Sequence, residues 1–242
     1  RILETFINCI VSENLLVILD QAAIHKSIFE SLSLDKKFRL VFSERTSGLN
    51  FSGQILNFNV PIEPIDFKNT SLIYFGPHDR LSIDFGSIFY QNPSLRIDSK
   101  DNTLYGNTSI YRDLSKRSQV IDSIMHLDHV GVIVENPNIK THVVLAHYLQ
   151  NICSANDIIA DIIYVGRLNE MKLGNFADVQ FFIHISCVGK PIFSFAKPVV
   201  SPFEFLCSKF NIDFWGNQLL RDFNIFINFC DDNKSLLFSE TE

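Results

Sequence analysis

The architecture is clearest in residues 130–166, which read VGVIVENPNIKTHVVLAHYLQNICSANDIIADIIYVG. The apolar run 130–134 stops at an Asn-Pro pair, as expected for a strand that is buried on both faces. Residues 142–153 predict a helix, and the apolar run 158–165 predicts a second strand that ends at a glycine. Two strands joined through a helix indicate a βαβ crossover and therefore a parallel sheet.

The same pattern continues on both sides of this unit. Residues 109–127 predict a long helix, whose apolar stripe consists of Val120, Ile121, Ile124 and Leu127. Residues 179–186 predict a further strand. Ser201 is a favourable N-cap and Pro202 a favourable first helical residue, so a helix is expected to begin there.

An N-terminal block has the same organisation. The run LLVIL at 15–19 predicts a buried strand, and apolar residues follow it at helical spacing. Further strands are predicted over 38–42, 71–75 and 95–97, with a helix over 80–90. The chain is therefore predicted to be an α/β protein with two consecutive Rossmann-like domains, each a mainly parallel sheet of about four strands flanked by helices.

The most favourable place for a boundary between the two blocks is the polar stretch 98–107. We place the domain boundary there, which gives a first domain at 1–104 and a second domain, containing Cys187, at 105–242. The polar tail 231–242 is expected to fray.

Composition excludes several classes of protein. The chain has 242 residues, of which 46% are hydrophobic, so intrinsic disorder is excluded. No apolar run reaches the ~20 residues needed to cross a bilayer. The net charge of −6, with scattered Lys and Arg, argues against a nucleic-acid groove, which needs clustered cations.

The cysteine pattern is not that of a disulfide framework, because the count is odd and no CxxC pair occurs; the five are Cys9, Cys153, Cys187, Cys207 and Cys230. Free thiols fit a reducing compartment, so a cytoplasmic location is expected. Cys187 follows a predicted strand at its carboxyl end, where a thiolate could ligate a metal or cluster. Spacing alone favours a buried core cysteine there, and it favours packing for the other four.

Other catalytic signatures are missing from the sequence. It contains no GxGxxG, GxxxxGK[ST] or GxSxG motif. The histidines that could suggest a metal site, namely His126, His129, His142 and His147, are interpreted as partly exposed polar side chains. His184 alternates with apolar residues and is interpreted as a packed or hydrogen-bonded side chain.

One family resemblance runs through the second block. Residues 164–176, YVGRLNEMKLGNF, resemble the VGKLNPAKLANF signature of the diphthamide-synthase family. In the same register, 178–183 (DVQFFI) is similar to the family's DIDVFVLV, and Ser186-Cys187 to its GC or AC. Residues 197–204, KPVVSPFE, resemble its KPVVTPFE, while weaker similarities lie at 73–76 and 130–134.

The resemblance implies a function that composition cannot supply. The family transfers a 3-amino-3-carboxypropyl group from S-adenosylmethionine to a histidine of elongation factor 2, the first step of diphthamide biosynthesis. It does so with a [4Fe-4S] cluster and radical chemistry, on three similar α/β domains. Eukaryotic members are heterodimers of two paralogous subunits, so the implied partners are the first subunit, elongation factor 2 and an electron-donor protein, with no nucleic acid and no membrane.

Residue by residue, the resemblance favours the second subunit. Cys187 matches the cluster cysteine of the family's last domain, and is the implied metal-binding and cofactor-binding residue. The middle-domain motif GEILGC corresponds to residues 53–58, GQILNF, in which Phe58 replaces the cysteine and cannot ligate iron. The implied role is an accessory one that supports electron delivery to the catalytic subunit's cluster, with no catalytic residue in this chain and S-adenosylmethionine bound mainly by the partner.

Arg1 in place of an initiating Met, together with material for only two domains, leads us to expect that the family's N-terminal domain is lacking. This piece alone is then expected to be inactive and to hold no stable cluster, because such clusters need three or four thiolates. The alternative from another class is a non-enzymatic, two-lobed α/β scaffold or small-ligand-binding protein.

Overall fold

The computed structural model divides the chain into an N-terminal unit, residues 1–114, and a C-terminal unit, residues 115–242. The residues it describes are 14–19, 39–44, 54–55, 58–59, 70–77, 93–98, 103–105, 108–166, 168–185, 195–212 and 223–238. The helix predicted over 80–90 and the residues at 24–32 lie outside this part of the chain. The domain bounds 1–104 and 105–242 stay a prediction.

The N-terminal unit contains a parallel four-stranded sheet of order β2-β1-β5-β6. Its strands are β1 (Asn14–Leu19), β2 (Arg39–Glu44), β5 (Thr70–Phe75) and β6 (Ser94–Ile97). A short antiparallel pair, β3 (Gln54–Ile55) with β4 (Phe58–Asn59), accompanies it. Every residue of β5 is buried, as expected for a strand covered on both faces, although it begins with the polar residues Thr70 and Ser71.

The polar stretch after β6 turns back along that strand. Asp98 N donates to Thr103 O at 2.9 Å, and Tyr105 N donates to Arg96 O at 2.9 Å. Arg96 is buried in β6, and burial lowers the pKa of its guanidinium. Part of the stretch in which we place the domain boundary is therefore hydrogen-bonded to the end of β6 in the first sheet.

The C-terminal unit contains a second parallel four-stranded sheet, of order β10-β9-β7-β8. Its strands are β7 (His129–Val134), β8 (Ile159–Tyr164), β9 (Phe181–Ile185) and β10 (Val199–Val200). The described helices are α1 (Thr108–Ser123), which crosses the division between the units, α2 (Lys140–Ser154), α3 (Glu170–Gly174), α4 (Pro202–Phe210), α5 (Phe223–Asp232) and α6 (Lys234–Leu237). The prediction of an α/β fold with two mainly parallel sheets is confirmed.

The two faces of the second sheet carry different layers. Val130, Val132 and Val134 of β7 belong to the larger core cluster, which includes side chains from α1, α2, α4, α5 and α6. The intervening Ile133 belongs to a smaller cluster with Phe182 and Leu173, which α3 and its flanking turns cover. The alternation follows from the two-residue repeat of side chains along a strand.

Two local expectations were wrong. Helix α1 ends at Ser123 rather than at 127, because residues 124–126 form a turn. In this turn the carbonyl of Met125 accepts a hydrogen bond from the Lys209 ammonium at 2.9 Å. The tail expected to fray is helical as far as Leu237, whose side chain is fully buried. Asn156 Nδ2 also donates to Leu237 O at 2.8 Å. This contact between residues distant in sequence holds the end of the helical segment, which the polar composition of the tail does not predict.

Candidate functional site

The carboxyl edge of the second sheet is the place where open α/β sheets bind ligands. We use "carboxyl edge" for the edge at which β7, β8, β9 and β10 end. Glu135 follows β7 there, and Ser201 follows β10. Strand β9 ends at Ile185, two residues before Cys187, which itself lies outside the described residues.

A buried histidine and a carboxylate meet at this edge. His184 is 3% exposed on β9, where it lies opposite Ile133 in the register of β7. Its Nε2 is 3.6 Å from Oε2 of Glu135, which makes an ion pair when the imidazole is protonated. His184 is packed, in agreement with the interpretation of its place in the strand.

The start of α4 is fixed by a charged network. Ser201 Oγ accepts from Glu204 N at 3.2 Å, and Glu204 Oε2 accepts from Ser201 N at 2.7 Å, which completes a capping box. Arg117 of α1 donates to the same carboxylate through Nε at 2.7 Å and through Nη2 at 2.5 Å. It also donates to Val199 O at 3.1 Å. The N-cap prediction at Ser201 is confirmed; Arg117 was not identified from the sequence.

Hydrogen bonds join the segments that resemble the family signatures. Glu170 Oε1 accepts from Ala196 N at 3.2 Å, which joins the first signature segment to the residue before the second. The Lys197 ammonium donates to three carbonyls, those of Phe176 at 2.7 Å, Ala177 at 2.9 Å and Val179 at 2.6 Å. These contacts give Lys197 a structural role that accounts for its place in the pattern, whereas the family signature has a proline at the position of Glu170.

The three described cysteines are core residues, as predicted. Cys153, Cys207 and Cys230 are all buried free thiols in the larger core cluster. Burial raises the pKa of Cys153 and of Cys230 to about 12. Enclosure among apolar side chains fits a packing role for all three thiols.

Among the described residues, no group of three or more His, Cys, Asp or Glu could hold a metal ion. His129 instead lies 2.8 Å from a carboxylate oxygen of Asp161, an exposed pair at the other end of the sheet. The described part of the chain therefore does not fit an iron–sulfur cluster by itself. Cys9 and Cys187 both lie outside it, so the packing role predicted for Cys9 and the ligand role that the resemblance implies for Cys187 stay predictions.

A cavity of about 350 Å³ opens at the opposite edge of the sheet, away from the carboxyl ends of the strands. Its wall includes Asp128 and Ile158, which precede β7 and β8, together with Asn156, Lys209 and Phe210. Burial lowers the pKa of the Lys209 ammonium, which donates hydrogen bonds to the carbonyls of Met125 and Leu127, after the end of α1. The cavity is thus separate from the edge where the sequence predicts chemistry.

Within the described residues, no helix has the length and apolar character required to cross a membrane.

Comparison with known proteins gives consistent results. A family model described as "Putative diphthamide synthesis protein" matches residues 1–217. The Schizosaccharomyces pombe protein named 2-(3-amino-3-carboxypropyl)histidine synthase subunit 2 is 20% identical over 217 residues, which cover 87% of this chain and 42% of that protein. A Cryptococcus neoformans protein of the same name is 25% identical over 150 residues, covering 60% of this chain and 29% of its own length.

Two solved structures share the fold. Dph2 from Pyrococcus horikoshii with a 4Fe-4S cluster has a TM-score of 0.60 and 19% sequence identity, over 84% of this chain and 59% of that chain. A second structure of the same protein gives a TM-score of 0.60 with 18% identity, over 85% of this chain and 60% of that chain. The chain thus spans less than half the length of the curated relatives that it matches.

Proposed function

Since this chain belongs to the family of diphthamide synthesis proteins, we propose that it acts in the second subunit of the synthase that transfers a 3-amino-3-carboxypropyl group from S-adenosylmethionine to a histidine of elongation factor 2. Its partners would be the paralogous first subunit, elongation factor 2 and an electron-donor protein, in the cytoplasm. The observation that carries the proposal is the family match over 1–217, in a chain whose second sheet leads directly into Cys187.

The names of the relatives favour the second subunit over the first. The proteins from S. pombe and C. neoformans are both called subunit 2 of the synthase. Phe58 supports the same assignment, because it stands where the catalytic subunit's motif has a cysteine, and a phenyl ring cannot ligate iron. An accessory role follows, in which this subunit supports electron delivery and the first subunit carries out the transfer.

We assign Cys187 as this chain's cluster ligand in the full-length protein. In the sequence it comes two residues after β9, which ends at the carboxyl edge, whereas Cys153, Cys207 and Cys230 are enclosed in the core. A cluster of this type requires further thiolates from outside the described residues. Ligation at a strand end also fits the general rule that open α/β sheets place ligand-binding groups there.

Iron binding tests the assignment of Cys187. The full-length protein, co-expressed with its first subunit and reconstituted anaerobically, is compared as wild type, Cys187→Ala and Cys153→Ala. We expect Cys187→Ala to lose most of the iron bound by this subunit and its EPR signal after reduction, since one ligand is gone. Cys153→Ala removes a core thiol and is expected to retain both, although it lowers the thermal midpoint.

Two outcomes would contradict the assignment. Iron retained in full by Cys187→Ala would show that the cluster does not use this thiol. A large drop in thermal midpoint for Cys187→Ala before any iron is added would identify it as a packing residue.

A further inference from the structure

The Arg117–Glu204 ion pair is a largely enclosed charged contact in the described part of the C-terminal unit. The side chain of Glu204 is 4% exposed and that of Arg117 is 18% exposed. A carboxylate at this depth is stable only when charge-assisted hydrogen bonds replace its water. Two of these bonds come from Arg117 and a third from the Ser201 backbone, so α1 supplies most of the compensation.

This network lies beside the end of β9. Val199 and Val200 of β10 pair with Phe182 and Ile183 of β9, so the next residue, Ser201, is level with His184. Arg117 holds both sides of that junction, because it binds Val199 O in the strand and Glu204 in the first turn of α4. The position of α4 relative to the end of β9 therefore depends on a side chain from α1.

We propose that Arg117 is a positioning residue for the carboxyl edge of the C-terminal sheet: by clamping the β10–α4 junction, it fixes the start of α4 beside His184 at the end of β9. The functional importance of this clamp rests on the proposed role of Cys187, which comes two residues after β9 in the sequence. Arg is suited to the task because its planar guanidinium forms two parallel bonds to the carboxylate while a third reaches the carbonyl.

The chain contains its own probes for this idea. Cys207 lies on α4, three residues after Glu204, and is 6% exposed. Cys153 on α2 and Cys230 on α5 lie in the same core cluster but on helices that Arg117 does not clamp. Opening of the junction should therefore expose Cys207 and leave the other two thiols protected.

The experiment measures alkylation of Cys207, Cys153 and Cys230 by iodoacetamide in the native chain, with peptide mass spectrometry. In Arg117→Gln we expect the rate at Cys207 to rise about tenfold or more, while those at Cys153 and Cys230 stay unchanged. Arg112→Gln, at an exposed arginine of the same helix, is the matched control and should leave all three rates unchanged. Arg117→Lys should not restore protection, because an ammonium cannot reproduce the bidentate bond.

Glu204→Gln provides a milder second variant should Arg117→Gln fail to fold, and the same selective rise is expected from it. A rise at all three thiols would mean that the pair only stabilises the core, and an unchanged rate at Cys207 would mean that it does not hold the start of α4; either result overturns the proposal. The test is independent of iron: selective alkylation together with normal iron binding by Cys187→Ala would leave the positioning role intact and reject the cluster assignment.

Discussion

Gly131 lies in the middle of β7, where neighbouring strands leave no room for a side chain. A Cβ atom there would lie 2.7 Å from Phe182 Cδ1 and 2.9 Å from Ile163 Cδ1, closer than such atoms approach. Phe182 is fully buried, so its ring cannot move aside without disturbing the smaller core cluster. The sequence predicts the strand, but it does not show which neighbours lie against the glycine, because that depends on the order of the strands.

Gly131→Ala is expected to lower the free energy of unfolding by about 1–3 kcal/mol, the usual cost of overpacking a core. Urea denaturation followed by circular dichroism measures it. Gly174→Ala is the matched control, since nothing lies within 4 Å of a Cβ at that position, and a change within about 0.5 kcal/mol is expected. Equal stability of the two variants would show that β7 and β9 are not packed as described.

At the scale of elements, the strands were the most predictable part of the chain. The strands predicted at 15–19, 71–75 and 130–134 correspond to β1, β5 and β7 within one residue at each end, because strands buried on both faces are rich in apolar residues. Short helices such as α3 and α6 were missed. They contain only one or two turns, so their stability comes from the Asn169 N-cap and from contacts distant in sequence rather than from periodicity.

The helices that carry buried thiols make stability sensitive to alkaline pH. Burial raises the pKa of Cys153 in α2 from 9.0 to about 12, so the folded protein keeps this proton when the unfolded chain loses it. Stability from this thiol is therefore complete below pH 9 and is lost as pH rises toward 12. Between pH 8 and 10 wild type should lose about 1.4 kcal/mol more unfolding free energy than Cys153→Ala. Urea denaturation at both pH values measures this difference, and parallel losses would contradict a buried, protonated thiol.

At the scale of the molecule, the sequence predicted the α/β fold and the two parallel sheets, and the family resemblance supplied Cys187 as a candidate ligand. The side-chain contacts that organise the carboxyl edge could not be predicted from the sequence. Arg117 and Glu204 are 87 positions apart, and Lys197 binds carbonyls about 20 positions away, so no local pattern reveals either. Such pairs become visible only when the order of the strands brings distant segments together.

Aminocarboxypropyl transfer is the most direct test of the proposed function. The full-length protein and its paralogous first subunit are incubated anaerobically with elongation factor 2, a reductant and S-adenosylmethionine labelled in the transferred group, and the label on elongation factor 2 is counted. We expect efficient labelling only when both subunits are present, and little labelling when this subunit carries Cys187→Ala. Equal labelling by the first subunit alone would contradict the proposed function.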